Sequence, residues 1–401
     1  MRADYWLLLL SIILMPGRLF GLGIRIADQD PFATARGNAF AATADNPSAI
    51  YYNPAGITQL EGQNASYSLY AIYLNSHYTA PSGNEVDTKD EIQAVPHLYY
   101  TYSLKSLPLS FGLGIYTPYG LGLEWPDNSG FRSLATEGRI LYLTGSPVVA
   151  WKILPTLSIA ACPNINYSQA ELKRGILSAG DEFKFKGDDT DIGYSVGILW
   201  HPHAKHAFGL GYRSDTTLNF TGHSEARPYA SRTEASARFH LPHNIVAGWS
   251  FRPTTRWNFE VNLDWTDWES LNTVTLVQSS GGNVPLTFNW RSSFFYEFGA
   301  TYYFGSGCRV SAGYIYSENT VPDSSFNPAV PDSDRHILSV GIGKTYKRLR
   351  CDAAYQLAYG PTRTVSGSPS NTNPFTGAVE SADGRYAFIS HALTVSLGYT
   401  F

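Results

Sequence analysis

A few residue groups could do chemistry on type and spacing alone. His201-Pro202-His203 with His206 offers closely spaced imidazoles that could converge on a metal ion. The run falls where a tight turn is expected, however, and turn histidines are the simpler reading. Gly341-Ile342-Gly343-Lys344-Thr345 ends like a phosphate-binding loop, but Leu338 stands where the first glycine is required, and the run lies in a strand-like segment. Cys162, Cys308 and Cys351 lie far apart with no metal-ligand spacing, and an odd count argues against a disulfide framework, although one pair could close. GxSxG, HExxH and Walker motifs are absent. The expectation is a protein that is not an enzyme and uses neither metal nor cofactor.

The elements that would position any site are announced by composition. Of 401 residues, 14% are aromatic and only 15% charged, where a soluble domain carries roughly 25% charged residues. Such a chain has ample apolar surface to bury, which excludes disorder. The 36 Gly and 23 Pro are poor helix formers, and 43% hydrophobic residues are too few for a bundle of membrane helices. A net charge of -4 without a Lys/Arg run gives no electrostatic case for nucleic acid.

Residues 1–21 read as an export signal: Arg2, then the apolar run Tyr5–Met15, then Pro16-Gly17, with cleavage possible near Gly21 or Gly23. The apolar run is too short to span a bilayer as a helix. Much of the remaining chain alternates with period two. Trp257, Phe259, Val261, Leu263 and Trp265 alternate with Asn258, Glu260, Asn262, Asp264 and Thr266. Phe294, Tyr296, Phe298 and Ala300 alternate with Phe295, Glu297, Gly299 and Thr301. In Arg385–Phe401 the set Phe401, Tyr399, Leu397, Val395, Leu393 opposes Thr400, Gly398, Ser396 and Thr394. Keeping acids on one face is what a membrane barrel needs, because a charge on the lipid face costs a few kcal/mol near the bilayer midplane. A soluble sandwich would alternate too, but would not place aromatics at strand ends behind an export signal.

Fourteen such runs are counted: 63–80, 92–104, 108–121, 139–153, 156–175, 188–203, 205–222, 234–253, 256–278, 284–305, 308–320, 334–347, 349–365 and 385–401. Long and short connections alternate, as in outer-membrane barrels with long outer loops and tight periplasmic turns. The fold class is therefore all-β, a fourteen-stranded antiparallel transmembrane barrel over 63–401. Residues 22–62 lack period two and are rich in Ala, Gly and Asn-Pro. A short helix within Phe32–Ala44, ended by Asp45-Asn46-Pro47, and a turn at Asn53-Pro54-Ala55-Gly56 are expected. Phe32, Phe40, Ile50, Tyr51 and Tyr52 suit packing inside the lumen as a plug.

The order of these features resembles the FadL/TodX (OmpP1) family of outer-membrane long-chain fatty acid and hydrocarbon transporters. The resemblance rests on the segment ending in Asn53-Pro54-Ala55, on Phe111–Trp125 (FGLGIYTPYGLGLEW), on Asp264-Trp265-Thr266-Asp267-Trp268, and on Val321-Pro322 followed by Val330-Pro331-Asp332-Ser333-Asp334-Arg335. Each stretch is weak alone, and their order is strong.

That resemblance implies passive transport of a hydrophobic small molecule across an outer membrane by a monomeric barrel. Ligand would enter among outer loops and leave sideways into lipid through a gap at a kinked third strand, with the plug moving. The kink would fall at Gly112, Gly114, Pro118 and Gly120, and the moving part of the plug at Asn53, Pro54 and Ala55, beside the gap. Arg139, Arg291 and Arg335 are candidates to grip a ligand carboxylate, since guanidinium binds it bidentately; each could instead pair with a lumen acid such as Glu260, Asp264 or Glu297. The strand ending in Phe401 would be read by the barrel assembly machinery. A general diffusion porin and a structural or adhesin barrel are the alternatives.

Overall fold

The computed structural model describes residues 24–373 and 377–401. The expected export signal lies outside them. Period-two sequence becomes fourteen antiparallel staves: β1 (Gln63–Thr79), β2 (Ile92–Ser103), β3 (Leu109–Tyr116 and Leu121–Glu124), β4 (Glu137–Leu154), β5 (Leu157–Arg174), β6 (Glu182–His203), β7 (His206–Arg213 and Thr216–Arg227), β8 (Ala230–Leu241 and Asn244–Phe251), β9 (Trp257–Thr266 and Thr273–Gln278), β10 (Val284–Thr287 and Ser293–Tyr303), β11 (Cys308–Ser317), β12 (Arg335–Tyr346), β13 (Leu349–Val365) and β14 (Gly384–Thr400). Neighbours pair in chain order. β1 pairs with β14 from Asn64↔Thr400 to Thr79↔Arg385, which closes the barrel. Short turns join one end of the staves, and the other carries the long connections, except that residues 228–229 alone join β7 to β8 and 279–283 join β9 to β10.

The two faces sort as the alternation demands. Trp257, Phe259, Val261 and Leu263 are exposed on the outside, while Asn258, Glu260, Asn262 and Asp264 are buried inside. Small inner residues alone would leave the lumen hollow. Ile24–Ile57 supplies what they do not, with nearly every residue buried.

That N-terminal segment folds from local signals. Asp30 Oδ1 accepts from Phe32 N (3.0 Å) and Ala33 N (3.2 Å) and Pro31 stands in the first turn, which starts helix α1 (Pro31–Ala35). The helix is shorter than the sequence suggests. Gly37 and Asn38 take φ of 58° and 56°, a left-handed geometry that ends it. Helix α2 (Ala49–Tyr52) and a 3₁₀ turn (Pro54–Gln59) come next, the latter capped by Asn53.

The barrel wall meets this segment with glycines. A Cβ on Gly313 would lie 2.0 Å from Gly37 N, and one on Gly209 2.0 Å from Ala41 O. Backbone therefore packs on backbone. Ion pairs complete the seat: Arg25 with Asp264 and Arg36 with Glu260, whose carboxylate also accepts from Ala42 N (2.7 Å) and Thr43 N (3.0 Å). The lumen acids Glu260 and Asp264 are thus taken by arginines of the segment, not of the wall.

Candidate functional site

The ladder between β2 and β3 stops at Leu98↔Ile115, leaving residues 92–97 of β2 unpaired on that side. On the other side, β3 pairs with β4 up to Tyr116↔Thr144 and resumes at Leu121↔Ile140. Residues 117–120 belong to neither piece. Pro118 has no N–H to give a ladder, so an interruption here is chemically sensible.

The unpaired backbone finds its partners inward. Ile26 N donates to Pro118 O (2.8 Å) and Gly120 N to Ile24 O (2.8 Å), with an isolated bridge between Arg25 and Tyr119. Gln29 serves Thr117 twice, Nε2 donating to its carbonyl (2.8 Å) and Oε1 accepting from its N–H (3.2 Å). Residues 24–29 thus act as a short inner strand laid over the break.

Two expectations change as a result. The interruption is narrower than Gly112–Gly122: Gly112 and Gly114 sit in unbroken ladders on both sides. They make room instead for Ile50, whose side chain lies 2.8 and 2.7 Å from where their Cβ atoms would be. Asn53-Pro54-Ala55 is anchored away from residues 117–120, although the turn Pro54–Gln59 also touches β2 and β3. Asn53 Nδ2 donates to Ala41 O (2.8 Å) and to Ile198 O of β6 (2.9 Å), pinning the segment to another part of the wall.

Above the segment, towards the long connections, lies an apolar cavity of about 100 Å³. Ile24, Phe185, Phe239, Leu276, Phe288 and Trp290 are among its lining residues, with Ala329 and Val330 from the β11–β12 connection. The Pro322…Pro331-Asp332…Asp334 motif shapes that connection. Asp332 accepts from Thr320 N (2.9 Å) and pairs with Arg335 (3.1 Å), while Asp334 accepts from Asn319 N (2.8 Å). These bonds fold the loop inward, burying Val321, Phe326 and Val330. Trp125 Nε1 donates to Pro328 O (2.8 Å), joining this loop to the one after β3.

The three candidate arginines do not converge. Arg139 edges the apolar cavity but is held by Glu137, Glu91 and Glu124. Arg335 is spent on Asp332 and lies 3.8 Å over the Phe388 ring. Arg291 is exposed and lines none of these cavities. Sequence reasoning passes over Arg174, the last residue of β5. Its guanidinium lies 5.2 Å over the Phe183 ring and borders an outer cleft of about 520 Å³. It forms no ion pair among the described residues, and nothing in the sequence sets it apart from the adjacent, ion-paired Lys173.

Asp181 organises the rim of that cleft. Its carboxylate accepts from Ile176 N (2.8 Å), Leu177 N (2.7 Å) and Ser178 N (2.7 Å) and pairs with Arg132 (2.8 Å). Burial alone would raise its pKa, but these donors hold it well below the usual carboxylate range.

The His201/His203/His206 group is engaged in turn packing: Trp249 Nε1 donates to His206 Nδ1 (3.2 Å) and Lys205 N to His203 Nδ1 (3.2 Å). All three cysteines are free.

Comparison with known proteins fits this architecture. Residues 22–401 match the family described as outer membrane protein transport protein (OMPP1/FadL/TodX). A putative outer membrane protein of Neisseria meningitidis serogroup B is 23% identical, over 98% of this chain and 97% of its own length. The long-chain fatty acid transport protein of Escherichia coli K12 is 21% identical, over 82% and 85%. Among solved structures, a Pseudomonas aeruginosa FadL homologue superposes with a TM-score of 0.83 at 19% identity, covering 94% of this chain and 99% of its own. The Pseudomonas putida toluene transporter TodX superposes at 0.76 and 15% identity, covering 95% and 100%. The chain is an outer-membrane β-barrel and belongs to the OMPP1/FadL/TodX family of transport proteins.

Proposed function

We propose that this barrel carries long-chain fatty acids or similar hydrophobic compounds passively through the outer membrane, and that Ile24–Leu60 is its plug. The observation that carries the reading is the double role of Ile24. This residue lines the apolar cavity and, through its carbonyl, holds Gly120 in the interrupted wall. One small displacement of residues 24–29 would join an apolar binding space to a lateral opening between β2 and β3. A hydrocarbon chain gains about 0.8 kcal/mol per CH₂ kept out of water, so a sideways route into lipid suits such a ligand better than an aqueous pore. The relatives named for long-chain fatty acid and toluene transport support this substrate class.

Arg174 above the cavity would receive an acidic head group in the outer cleft, and the outward Phe401 would serve recognition by the assembly machinery. Uptake of labelled oleate and toluene by cells with and without the gene, beside single-channel conductance, tests the reading. Gene-dependent uptake with little conductance is expected. A large stable conductance with unchanged uptake would instead make the protein a general diffusion porin.

A further inference from the structure

The modest net charge of -4 hides a sorting of charge between the two ends of the barrel. At the short-turn end, which faces the periplasm in outer-membrane barrels, the exposed charges are nearly all basic. Lys105, Lys152, Lys205, Arg256, Lys347 and Arg348 are exposed there and have no carboxylate partner among the described residues. The acidic side chains nearby are few. Asp45 is paired with Arg252, Asp352 with Arg309 and Arg350, and among the described residues only Glu61 is left. At the long-connection end basic groups are mixed with acids: Arg132–Asp181, Lys184–Glu171 and Arg363–Asp323 are paired, and Lys186, Arg232 and Arg238, unpaired among the described residues, share their staves with Asp188, Asp189 and Glu234.

The basic ring sits beside outward aromatics. Trp151, Trp200, Trp249, Trp257, Tyr346 and Phe401 are 41–62% exposed at the same end of their staves. Aromatic belts of this kind lie at headgroup depth. Long Lys and Arg side chains in this position snorkel to the headgroups.

We infer that this ring is a binding surface for anionic phospholipid headgroups, of the phosphatidylglycerol class, in the leaflet that meets the short turns. A membrane surface is the partner that the geometry favours, because the charges run around the rim at the aromatic belt and do not gather on one patch that a folded protein could cover. Each basic side chain near an anionic surface is worth about a fivefold gain in association at low salt, and the gain decays within a Debye length.

The belt tryptophans supply the readout. The purified protein is reconstituted in mixtures of phosphatidylcholine and phosphatidylglycerol in which one or the other carries brominated chains, and quenching of tryptophan fluorescence reports which lipid lies beside the belt. The expected result is a preference for phosphatidylglycerol of about fivefold or more. The preference should fall several-fold in 0.5 M salt and disappear when Lys105, Lys152, Lys205, Arg256, Lys347 and Arg348 are all changed to Gln. Changing Lys89, Lys186 and Arg232 at the other end to Gln should leave it intact. Should the sixfold variant fail to fold, the salt response of the unaltered protein and the pair Lys347→Gln/Arg348→Gln decide. Equal quenching by the two lipids, a preference insensitive to salt, or one that tracks the outer-end residues would overturn the inference, even if the ring captured an acidic peptide.

Discussion

Arg25 grips Asp264 with both arms of its guanidinium, Nη1 to Oδ1 at 2.8 Å and Nη2 to Oδ2 at 2.6 Å. The pair ties the inner strand over the wall interruption to β9 across the lumen. Both side chains are almost wholly buried, so losing one partner strands the other charge, at a cost of about 3–5 kcal/mol. Arg25→Ala should therefore release residues 24–29 to protease in intact outer membranes while the barrel keeps its heat-modifiable migration. The double change Arg25→Met/Asp264→Leu should release less than Arg25→Ala, because it removes both charges of the pair together.

Gly313 and Gly209 admit the segment's backbone by lacking a Cβ. The neighbouring atoms at 2.0 Å are backbone and cannot swing away. Gly313→Val and Gly209→Val should each unseat the segment without unfolding the staves, which planar-bilayer recordings would detect as a new or larger conductance. A closed barrel with unchanged recordings in both variants would count against a plug.

Gln29 and Gly120 hold the interruption from inside and from within the wall. Gln29→Ala removes both bonds to Thr117, each worth about 1 kcal/mol net, and should loosen the inner strand and change the rate of oleate uptake. Gly120→Val should alter uptake without loss of surface abundance. Gly114→Val should also lower uptake, but by a different route: its new side chain collides with Ile50 and disturbs the segment. Normal uptake in all three would exclude the lateral route.

Much of this architecture is legible in the sequence and some is not, for identifiable reasons. Strand number, inward and outward faces and the closing stave emerge from period two, because lipid on one side imposes the same rule on every residue of a stave. The interruption near Pro118 is legible for a sound reason, the missing N–H. Its width is not, because Gly112 and Gly114 look the same in sequence whether they weaken a ladder or clear space for Ile50. The pairing of Arg25 with Asp264 joins positions on separate elements with nothing local to mark it. Arg174 escapes notice since its distinction, the lack of an acid beside it, exists only in three dimensions.

Arg174 gives the substrate question a handle. If its guanidinium receives a carboxylate, Arg174→Ala should weaken oleate binding to the purified protein about tenfold or more, in line with the 1.5–3 kcal/mol of a hydrogen bond to a charged group. Binding of oleyl alcohol should change little. Equal losses for both ligands would assign Arg174 to packing against Phe183.

Asp181 should make the outer rim sensitive to acid. Its carboxyl titrates lower in the folded loop than in an unfolded chain, so its contribution is complete above the ordinary carboxylate pKa of about 4 and is lost as pH falls through the lower, folded value. Protease cleavage within residues 175–181 should thus rise only below about pH 4 in the unaltered protein. Asp181→Asn should raise cleavage already at neutral pH and flatten the profile.

The seam between β1 and β14 also bears on the order of events during biogenesis. The segment precedes the first stave, and the stave that closes against it is the last to be made. Until Asn64 meets Thr400 and Ser66 meets Gly398, the nascent sheet is an open trough into which the segment can be laid from the side. Once zipped, that entrance is gone, and the chain could reach its glycine bed only by threading an end of the cylinder. Laying the segment in before the seam zips is therefore the shorter route, and a stave set that closes without it should appear as the empty, conducting barrel expected of the glycine variants.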